Sequence, residues 1–246
     1  MTIELRSIAP SVAEILIRRP EARNALDFET QEKLAATIGK CIEDSGLMAV
    51  IITGEGTAFA AGGDLAELAR FSAPEDGLRL STLVGDALAL LRMGRLNSVA
   101  SVNGHARGGG AEIAISANYR IMAESADLAF VHSKLGLSPG WGGRARLVDL
   151  LGESMAEDLL NTARVVSSGE AKRIGLVHEV VSPESLRERS AEVAVEYSRT
   201  SPALRRFKQR DTAKSQRKQL LEERAEFLRR WKTDQRRELF TKFANG

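Results

Sequence analysis

The sequence predicts an α/β protein in which strands and helices alternate over the first part of the chain and helices dominate the last part. Two observations predict this class. Short apolar or alternating runs, typical of strands, are separated by longer runs whose apolar residues recur at helical spacing. From residue 142 onward helical patterns follow one another, and only the run GLVHEVV is strand-like.

The individual elements follow in chain order. Alternation in IELRSI and EILIRR predicts two strands, and the apolar run LMAVIIT predicts a buried third. Between them, FETQEKLAATIGKCIED has helical spacing and follows Asp27, a candidate N-cap. GLRLSTLVGDALALLRM predicts another helix, and SVASVNG, YRIMA and DLAFV predict further strands, so that His132 has a strand-like context. The final helix places Leu221 and Trp231 on one face, which we expect to dock on its own domain or on a partner subunit.

Composition limits the class of protein. The 246 residues are 43% hydrophobic and 28% charged, as expected for a globular protein with a core. We expect no membrane span, because no apolar run is long enough, and no secretory signal, because MTIELRSIAP lacks its features. Cys41 is the single cysteine, so a cytoplasmic location is expected.

Charge is unevenly distributed along the chain. Residues 201–246 hold 14 Lys and Arg against 6 Asp and Glu, although the whole chain has a net charge of +2. A basic segment of this kind can bind nucleic acid, an acidic subunit or a phosphorylated ligand. Trp231 is the only Trp or Tyr after residue 200, and with so little aromatic interleaving we expect no nucleic-acid binding.

Two glycine-rich stretches are candidates for ligand binding. In FAAGGDLAEL, Gly62 and Gly63 follow a strand and free the backbone to approach a ligand, while Asp64 could instead cap the next helical turn. In RGGGAEIAIS, three glycines expose N–H groups at a helix start around Gly109, and Glu112 follows one turn later. A close crossing of two backbone segments is the alternative explanation of the triplet.

A third stretch, FVHSKLGLSPGWGG, combines a histidine with a turn-rich loop around one large aromatic residue. His132 is a candidate functional residue or a satisfied structural histidine. Three separated histidines without paired carboxylates predict no metal site.

Five segments in register resemble the crotonase (enoyl-CoA hydratase/isomerase) superfamily: RPEARNALD, FAAGGDLAEL, SVNGHARGGGAEIA, LGLSPGWGGRARL and GEAKRIGLVHEVV. The resemblance implies a crotonase-like spiral of ββα repeats over residues 1–190 and a helical oligomerisation region over residues 191–246. It also implies a homotrimer or dimer of trimers and an acyl-CoA substrate. CoA is then part of the substrate, and no separate cofactor is expected.

The resemblance also implies roles for single residues. The N–H groups of Gly63 and Gly109 would form an oxyanion hole for the thioester oxygen, and each such donor contributes about 3–4 kcal/mol in a working site. Glu112 and His132 would complete the catalytic set. The residues implied in binding the substrate and its CoA are Arg23, Ala25, Ala61, Gly62, Asp64, Leu65 and Trp141.

The expected reaction follows from a departure at one position. Hydratases of the superfamily use two glutamates; Glu112 matches the first, whereas His132 occupies the place of the second. The FVH and PxWGG features are similar to the ethylmalonyl-CoA decarboxylase branch, which implies decarboxylation of an alkylmalonyl-CoA. His132 would bind the leaving carboxylate or protonate the enolate. Glu112 would be protonated by burial, bound by a donor, or used to force the carboxylate out. The alternatives are an enoyl-CoA hydratase/isomerase and a non-catalytic acyl-CoA or acyl-carrier binding protein.

Overall fold

The secondary structure confirms the predicted α/β class. The computed structural model describes residues 2–200 and 202–244, with side chains described for residues 2–200 and 217–242. The strands are β1 (Ile3–Ala9), β2 (Val12–Ile17), β3 (Ala49–Gly54), β4 (Ala58–Ala60), β5 (Asn97–Val102), β6 (His105–Arg107), β7 (Tyr119–Ala123), β8 (Asp127–Ala129), β9 (Val166–Ser167) and β10 (Glu179–Val181).

The helices occupy the segments between and after the strands. They are α1 (Phe28–Glu43), α2 (Leu65–Leu68), α3 (Pro74–Met93), α4 (Gly109–Ser116), α5 (Gly143–Leu151), α6 (Glu153–Thr162), α7 (Ser168–Arg173), α8 (Leu186–Ser198), α9 (Pro202–Trp231) and α10 (Asp234–Ala244). The predicted N-cap of α1 is confirmed, because the Asp27 carboxylate accepts a hydrogen bond from Thr30 N.

A six-stranded sheet has the order β1-β2-β3-β5-β7-β10. β1 and β2 form an antiparallel hairpin, and the other neighbouring pairs are parallel. Every residue of β2 and β5 is buried, as expected for strands covered on both faces. Helices α1, α3, α4 and α8 pack around these strands and enclose the core.

A second sheet, in the order β4-β6-β8-β9, was not predicted as a unit. Its strands have only two or three residues, too few for a periodic pattern. β4 and β6 pair in parallel, and this pairing brings the two glycine-rich stretches side by side. The strand-like context predicted for His132 is wrong: β8 ends at Ala129, and His132 lies in a 3-10 turn, Val131–Leu135, because the chain leaves the short sheet there.

The C-terminal helices dock on the same chain. Phe227 and Trp231 of α9 are buried against α3, and the Trp231 indole donates a 2.9 Å hydrogen bond to Ala73 O. Leu221, expected on the docked face, is 56% exposed. The expected domain boundary at residues 190/191 lies inside α8. The oligomerisation role expected of residues 191–246 stays a prediction. Within that region, Ser201 and residues 245–246 lie outside the described residues.

One buried amide holds the segment before α1 against the start of β4. Asn24 is fully buried, and its Oδ1 accepts a hydrogen bond from Arg19 N at 2.9 Å. Its Nδ2 donates to Glu55 O at 2.9 Å and to Ala58 O at 2.7 Å. Asn24 therefore ties together the backbone segments that lead into the first glycine-rich stretch.

Replacing Asn24 tests whether its hydrogen bonds hold these backbone segments together. Asn24→Ala removes three hydrogen bonds, one of them to the buried carbonyl of Ala58, and we expect the free energy of unfolding to fall by about 3 kcal/mol. Urea denaturation followed by circular dichroism measures the change. The control is Asn161→Ala, at an exposed position in α6, which we expect to leave stability nearly unchanged. Equal stability of the two variants would contradict the role of Asn24.

Candidate active site

The Gly63 amide is left free by the way its backbone pairs. Leu26 N donates to Gly62 O at 2.7 Å, and Asp64 N donates to Leu26 O at 3.1 Å. In this parallel bridge Leu26 bonds to the backbone groups of Gly62 and Asp64, which flank its partner Gly63. The N–H of Gly63 itself therefore points away from Leu26. No acceptor for this N–H is found among residues 2–200 and 217–242.

The Gly109 amide lies beside this segment. Gly109 begins α4, and first-turn N–H groups have no partner within their own helix. A Cβ added to Gly62 would lie 3.0 Å from Gly109 N and 2.8 Å from Arg107 O, so only glycine fits between them. The two predicted amides are therefore brought into one backbone crossing.

The next glycines are required by close contacts. A Cβ on Gly110 would lie 2.0 Å from Ala60 O, and one on Gly109 would lie 2.3 Å from a ring carbon of Trp141. A tight backbone crossing, the alternative explanation of the triplet, thus occurs at Gly110. It coexists with the unpartnered N–H at Gly109.

Glu112, one turn into α4, is a buried carboxylate with three close donors. It is 2% exposed, and its Oε1 accepts hydrogen bonds from Trp141 N at 2.8 Å and Gly143 N at 2.9 Å. Its Oε2 lies 3.0 Å from Nε2 of His132. Burial raises the pKa of Glu112, but His132, the Trp141 N–H and Arg146 outweigh burial and hold that pKa below its usual range. Of the three states left open for Glu112, the hydrogen bonds to Oε1 and the lowered pKa favour a carboxylate bound by donors.

His132 faces Glu112 with one ring nitrogen. The residue is 7% exposed, and its Nδ1 is buried without a hydrogen-bond partner in the described part of the protein. An ionised carboxylate only accepts hydrogen bonds, so Nε2 carries the proton shared with Glu112. In the neutral ring, Nδ1 then has a free lone pair; in the protonated ring, it has a free N–H.

Two charged residues near Glu112 were missed by sequence reasoning. The buried guanidinium of Arg146 donates to Trp141 O, and burial lowers the pKa of Arg146 to about 10, so it stays charged at neutral pH. Glu223 of α9 is buried near the same turn. The sequence alone does not distinguish Arg146 or Glu223 from the charged residues beside them. Only tertiary packing buries these two side chains near Glu112.

The residues expected to contact CoA lie around the first crossing. Arg23 is exposed, with no ion-pair partner among the described side chains, and its carbonyl accepts a hydrogen bond from Ala61 N at 3.1 Å. Ala25 is buried, whereas Ala61 and Leu65 are partly exposed. An exposed cation beside partly exposed small and apolar residues is compatible with a nucleotide tail.

Asp64 and Trp141 have clear structural roles. The Asp64 carboxylate caps α2 by accepting from Ala66 N and Glu67 N, as the capping interpretation expected, and also binds Arg19 at 3.2 Å. Trp141 is buried, and its indole donates a 2.7 Å hydrogen bond to Leu80 O. Its ring forms the support behind Gly109, and a direct ligand contact by either side chain stays a prediction.

A cavity of about 610 Å³ lies between α3, α5 and α9. Its lining residues are Asp86, Ala89, Leu90, Arg92, Met93, Gly142, Ala145, Arg146, Asp149, Arg217, Leu220, Leu221 and Arg224. None of the predicted site residues lines it. In the described ranges, no three His, Cys, Asp or Glu side chains are grouped to hold a metal, and no helix is long and apolar enough to cross a membrane.

The crossing at Gly110 can be tested by adding one methyl group. Gly110→Ala forces a Cβ into the carbonyl of Ala60, and we expect unfolding to become about 3 kcal/mol easier. Gly39→Ala in α1 is the matched control, because nothing lies within 4 Å of its added Cβ; it should stabilise by up to about 1 kcal/mol. Denaturant titration compares them, and stabilisation in both variants would refute the crossing.

Comparisons with known proteins agree with this fold. The enoyl-CoA hydratase/isomerase family model matches residues 7–244. The chain is 39% identical to a short-chain-enoyl-CoA hydratase of Clostridium acetobutylicum over 74% of this chain and 70% of that protein. It is 36% identical to an ethylmalonyl-CoA decarboxylase of Danio rerio over 73% of this chain and 60% of that protein.

Solved structures show the same architecture. An enoyl-CoA hydratase from Bacillus anthracis superposes with a TM-score of 0.80 at 30% identity, covering 91% of this chain and 90% of that one. An enoyl-CoA hydratase from Bacillus halodurans, 22% identical, has a TM-score of 0.89 over 98% and 100% of the two chains, a likeness of fold alone. The family model matches nearly the whole chain, and the Clostridium hydratase aligns with 74% of it. The chain therefore belongs to the enoyl-CoA hydratase/isomerase (crotonase) family.

Proposed function

We propose that this protein decarboxylates an alkylmalonyl-CoA thioester of the methylmalonyl or ethylmalonyl type. The observation that carries the proposal is the buried pair of Glu112 and His132, with Nε2 and Oε2 3.0 Å apart and the His132 Nδ1 unpartnered. The pair lies at the start of α4, where Gly109 has its free N–H. A proton donor beside an oxyanion site is what decarboxylation of a thioester requires.

The pair is poorly suited to holding water between two carboxylates. Both oxygens of Glu112 already have donors within the protein, and the second acidic position is His132. An imidazole that carries a proton on each nitrogen can donate from Nε2 to Glu112 and still hold a second proton at Nδ1. The pair therefore supplies one transferable proton at Nδ1.

The reaction then balances without a cofactor. The bond between Cα and the carboxylate breaks, CO2 leaves, and the electron pair moves onto the thioester as an enolate. The N–H groups of Gly63 and Gly109 stabilise the enolate oxygen, whose charge is largest after the bond breaks. Nδ1 of His132 donates its proton to Cα, and the product is the acyl-CoA. A proton taken up from solvent restores His132, so one proton is consumed for each CO2 released.

The segment around Arg23 would bind the CoA portion of the substrate. The exposed guanidinium of Arg23 has no partner among the described side chains and is free to pair with a phosphate. Ala25, Ala61 and Leu65 would contact the nucleotide and pantetheine portions. A homotrimer or dimer of trimers, with residues 191–246 in its contacts, is part of the same proposal.

Hydration of an enoyl-CoA is the second candidate, and the relatives favour it. The hydratases from Clostridium acetobutylicum and Syntrophomonas wolfei are each 39% identical to this chain, whereas the decarboxylases from Danio rerio and Xenopus are 32–36% identical. In this candidate, Nδ1 of neutral His132 accepts a proton from the attacking water.

Substrate tests decide between the two reactions. We expect the purified protein to release CO2 from ethylmalonyl-CoA or methylmalonyl-CoA and, in D2O, to place one deuterium at Cα of the product. Mass spectrometry of the thioesters measures both. Rapid hydration of crotonyl-CoA without CO2 release from either malonyl thioester would replace decarboxylation by hydration. No turnover of any thioester would leave a binding protein.

The proton-transfer role has its own variants. General acid catalysis contributes about 10²–10⁴-fold, so His132→Gln should lower kcat for decarboxylation at least about 10²-fold. His105→Gln is the control, because the side chain of His105 is exposed and pairs with Asp127 at 2.8 Å, whereas that of His132 pairs with Glu112. Steady-state assays with the accepted thioester make the comparison. Full activity in His132→Gln would exclude the proposed role.

A further inference from the structure

Two carboxylates share the backbone donors of one turn. Residues 141–145 form the entry to α5, and Glu112 accepts the first and third of their N–H groups. Glu223 accepts the N–H of Gly142 at 2.8 Å through Oε1 and that of Ala145 at 3.1 Å through Oε2. The donors alternate between the two side chains, so neither carboxylate can move without disturbing the turn.

Glu223 reaches this turn from the C-terminal helix. It is 7% exposed, and α9 is anchored next to it by Phe227, which packs against Gly140, and by Trp231 on α3. The N-cap of α5 is Gly142, which has no side chain with which to cap the helix. Carboxylates are favoured at a helix N-terminus by the exposed N–H groups and the helix dipole.

The surroundings of Glu223 are strongly charged. Glu112 from α4 and Arg146 from α5 interact with Glu223 directly. Arg92 from α3 and Asp149 from α5 interact with Arg146, and His132 from the 3-10 turn interacts with Glu112. The next residue of α9, Arg224, pairs with Asp86 of α3. Burial, and next the charge of Glu112, raise the pKa of Glu223 to about 7. Arg146 and the two N–H groups act in the opposite direction.

We propose that Glu223 is a positioning residue, which holds the 141–145 turn from the C-terminal helix and thereby keeps Glu112 in register with His132. Its two hydrogen bonds connect α9 to the same backbone that binds Glu112. The proposal rests on the proposed function of the Glu112–His132 pair for its effect on turnover. The effect on the turn itself does not depend on which thioester is the substrate.

The test uses Trp141, inside the turn, as a reporter. The chain has two tryptophans, so Trp231→Phe leaves Trp141 as the single emitter. In this background we compare Glu223→Gln and Glu223→Ala with Glu222→Gln, a control at the exposed neighbouring position. Acrylamide quenching measures access to Trp141, and turnover is measured with and without Trp231→Phe.

We expect both Glu223 variants to increase quenching and to lower kcat about tenfold or more, with a smaller change in KM, because a small displacement of a catalytic group is costly. Glu222→Gln should change neither. Unchanged quenching or unchanged kcat in the Glu223 variants would overturn the proposal, even if their melting temperatures fell. If the wild type turned over no thioester, the proposed function would fail, and quenching alone would decide whether Glu223 holds the turn.

The pH dependence of stability gives a second measurement on the same variants. The pKa of the Glu223 carboxyl is raised from 4.5 to about 7 in the folded protein. Below pH 4.5 this carboxyl is protonated in both the folded and the unfolded protein, so it does not lower the free energy of unfolding. As pH rises from 4.5 to about 7, the raised pKa lowers the free energy of unfolding, and this loss is complete above about pH 7. The melting temperature of Glu223→Gln relative to wild type should therefore increase from pH 5 to pH 8, whereas that of Glu222→Gln should stay constant. A constant difference for Glu223→Gln would place its carboxylate outside this buried cluster and overturn the proposal.

Discussion

The entry to α5 imposes the constraint on which the site depends. Its N–H groups begin a helix whose N-cap is glycine, and the nearest carboxylates are contributed by distant segments, Glu112 from α4 and Glu223 from α9. Buried charges of this kind are stable only when several donors surround them. The same bonds that satisfy the backbone hold the pKa of Glu112 below its usual range. Glu112 in turn faces Nε2 of His132 and leaves Nδ1 without a partner among the described residues.

The second feature of the site is made of backbone alone. Parallel pairing of β4 with β6 brings Gly62 against Gly109, and the bridge between Leu26 and Gly63 turns one N–H away from its own pairing partner. Donors of this type are fixed before a substrate binds, so no reorganisation is needed when negative charge develops on an oxygen. The positions of these amides depend on the backbone pairing and not on the neighbouring side chains.

His132 is the side chain on which the proposed reaction depends. The hydratase from Clostridium acetobutylicum is 39% identical to this chain and the decarboxylase from Danio rerio is 36% identical, so overall similarity favours hydration slightly. The proposal of decarboxylation rests instead on the pair: Glu112 has donors on both oxygens, and Nδ1 of His132 has no partner among the described residues, an arrangement suited to proton transfer. Glu223 connects the turn that binds Glu112 to the C-terminal helix through its hydrogen bonds to Gly142 N and Ala145 N.

Local patterns in the sequence determined the α/β class, the longer strands and helices, the Asp27 cap and the glycines at which backbones meet. These features depend on hydrogen bonds and burial patterns within a few residues, which alternation, helical spacing and glycine placement report directly. Tertiary structure alone decided the short strands of the second sheet, the 3-10 turn at His132, and the selection of Arg146 and Glu223. Two- and three-residue strands carry no period, and a buried charge in a run of charged residues is distinguished only by what packs against it.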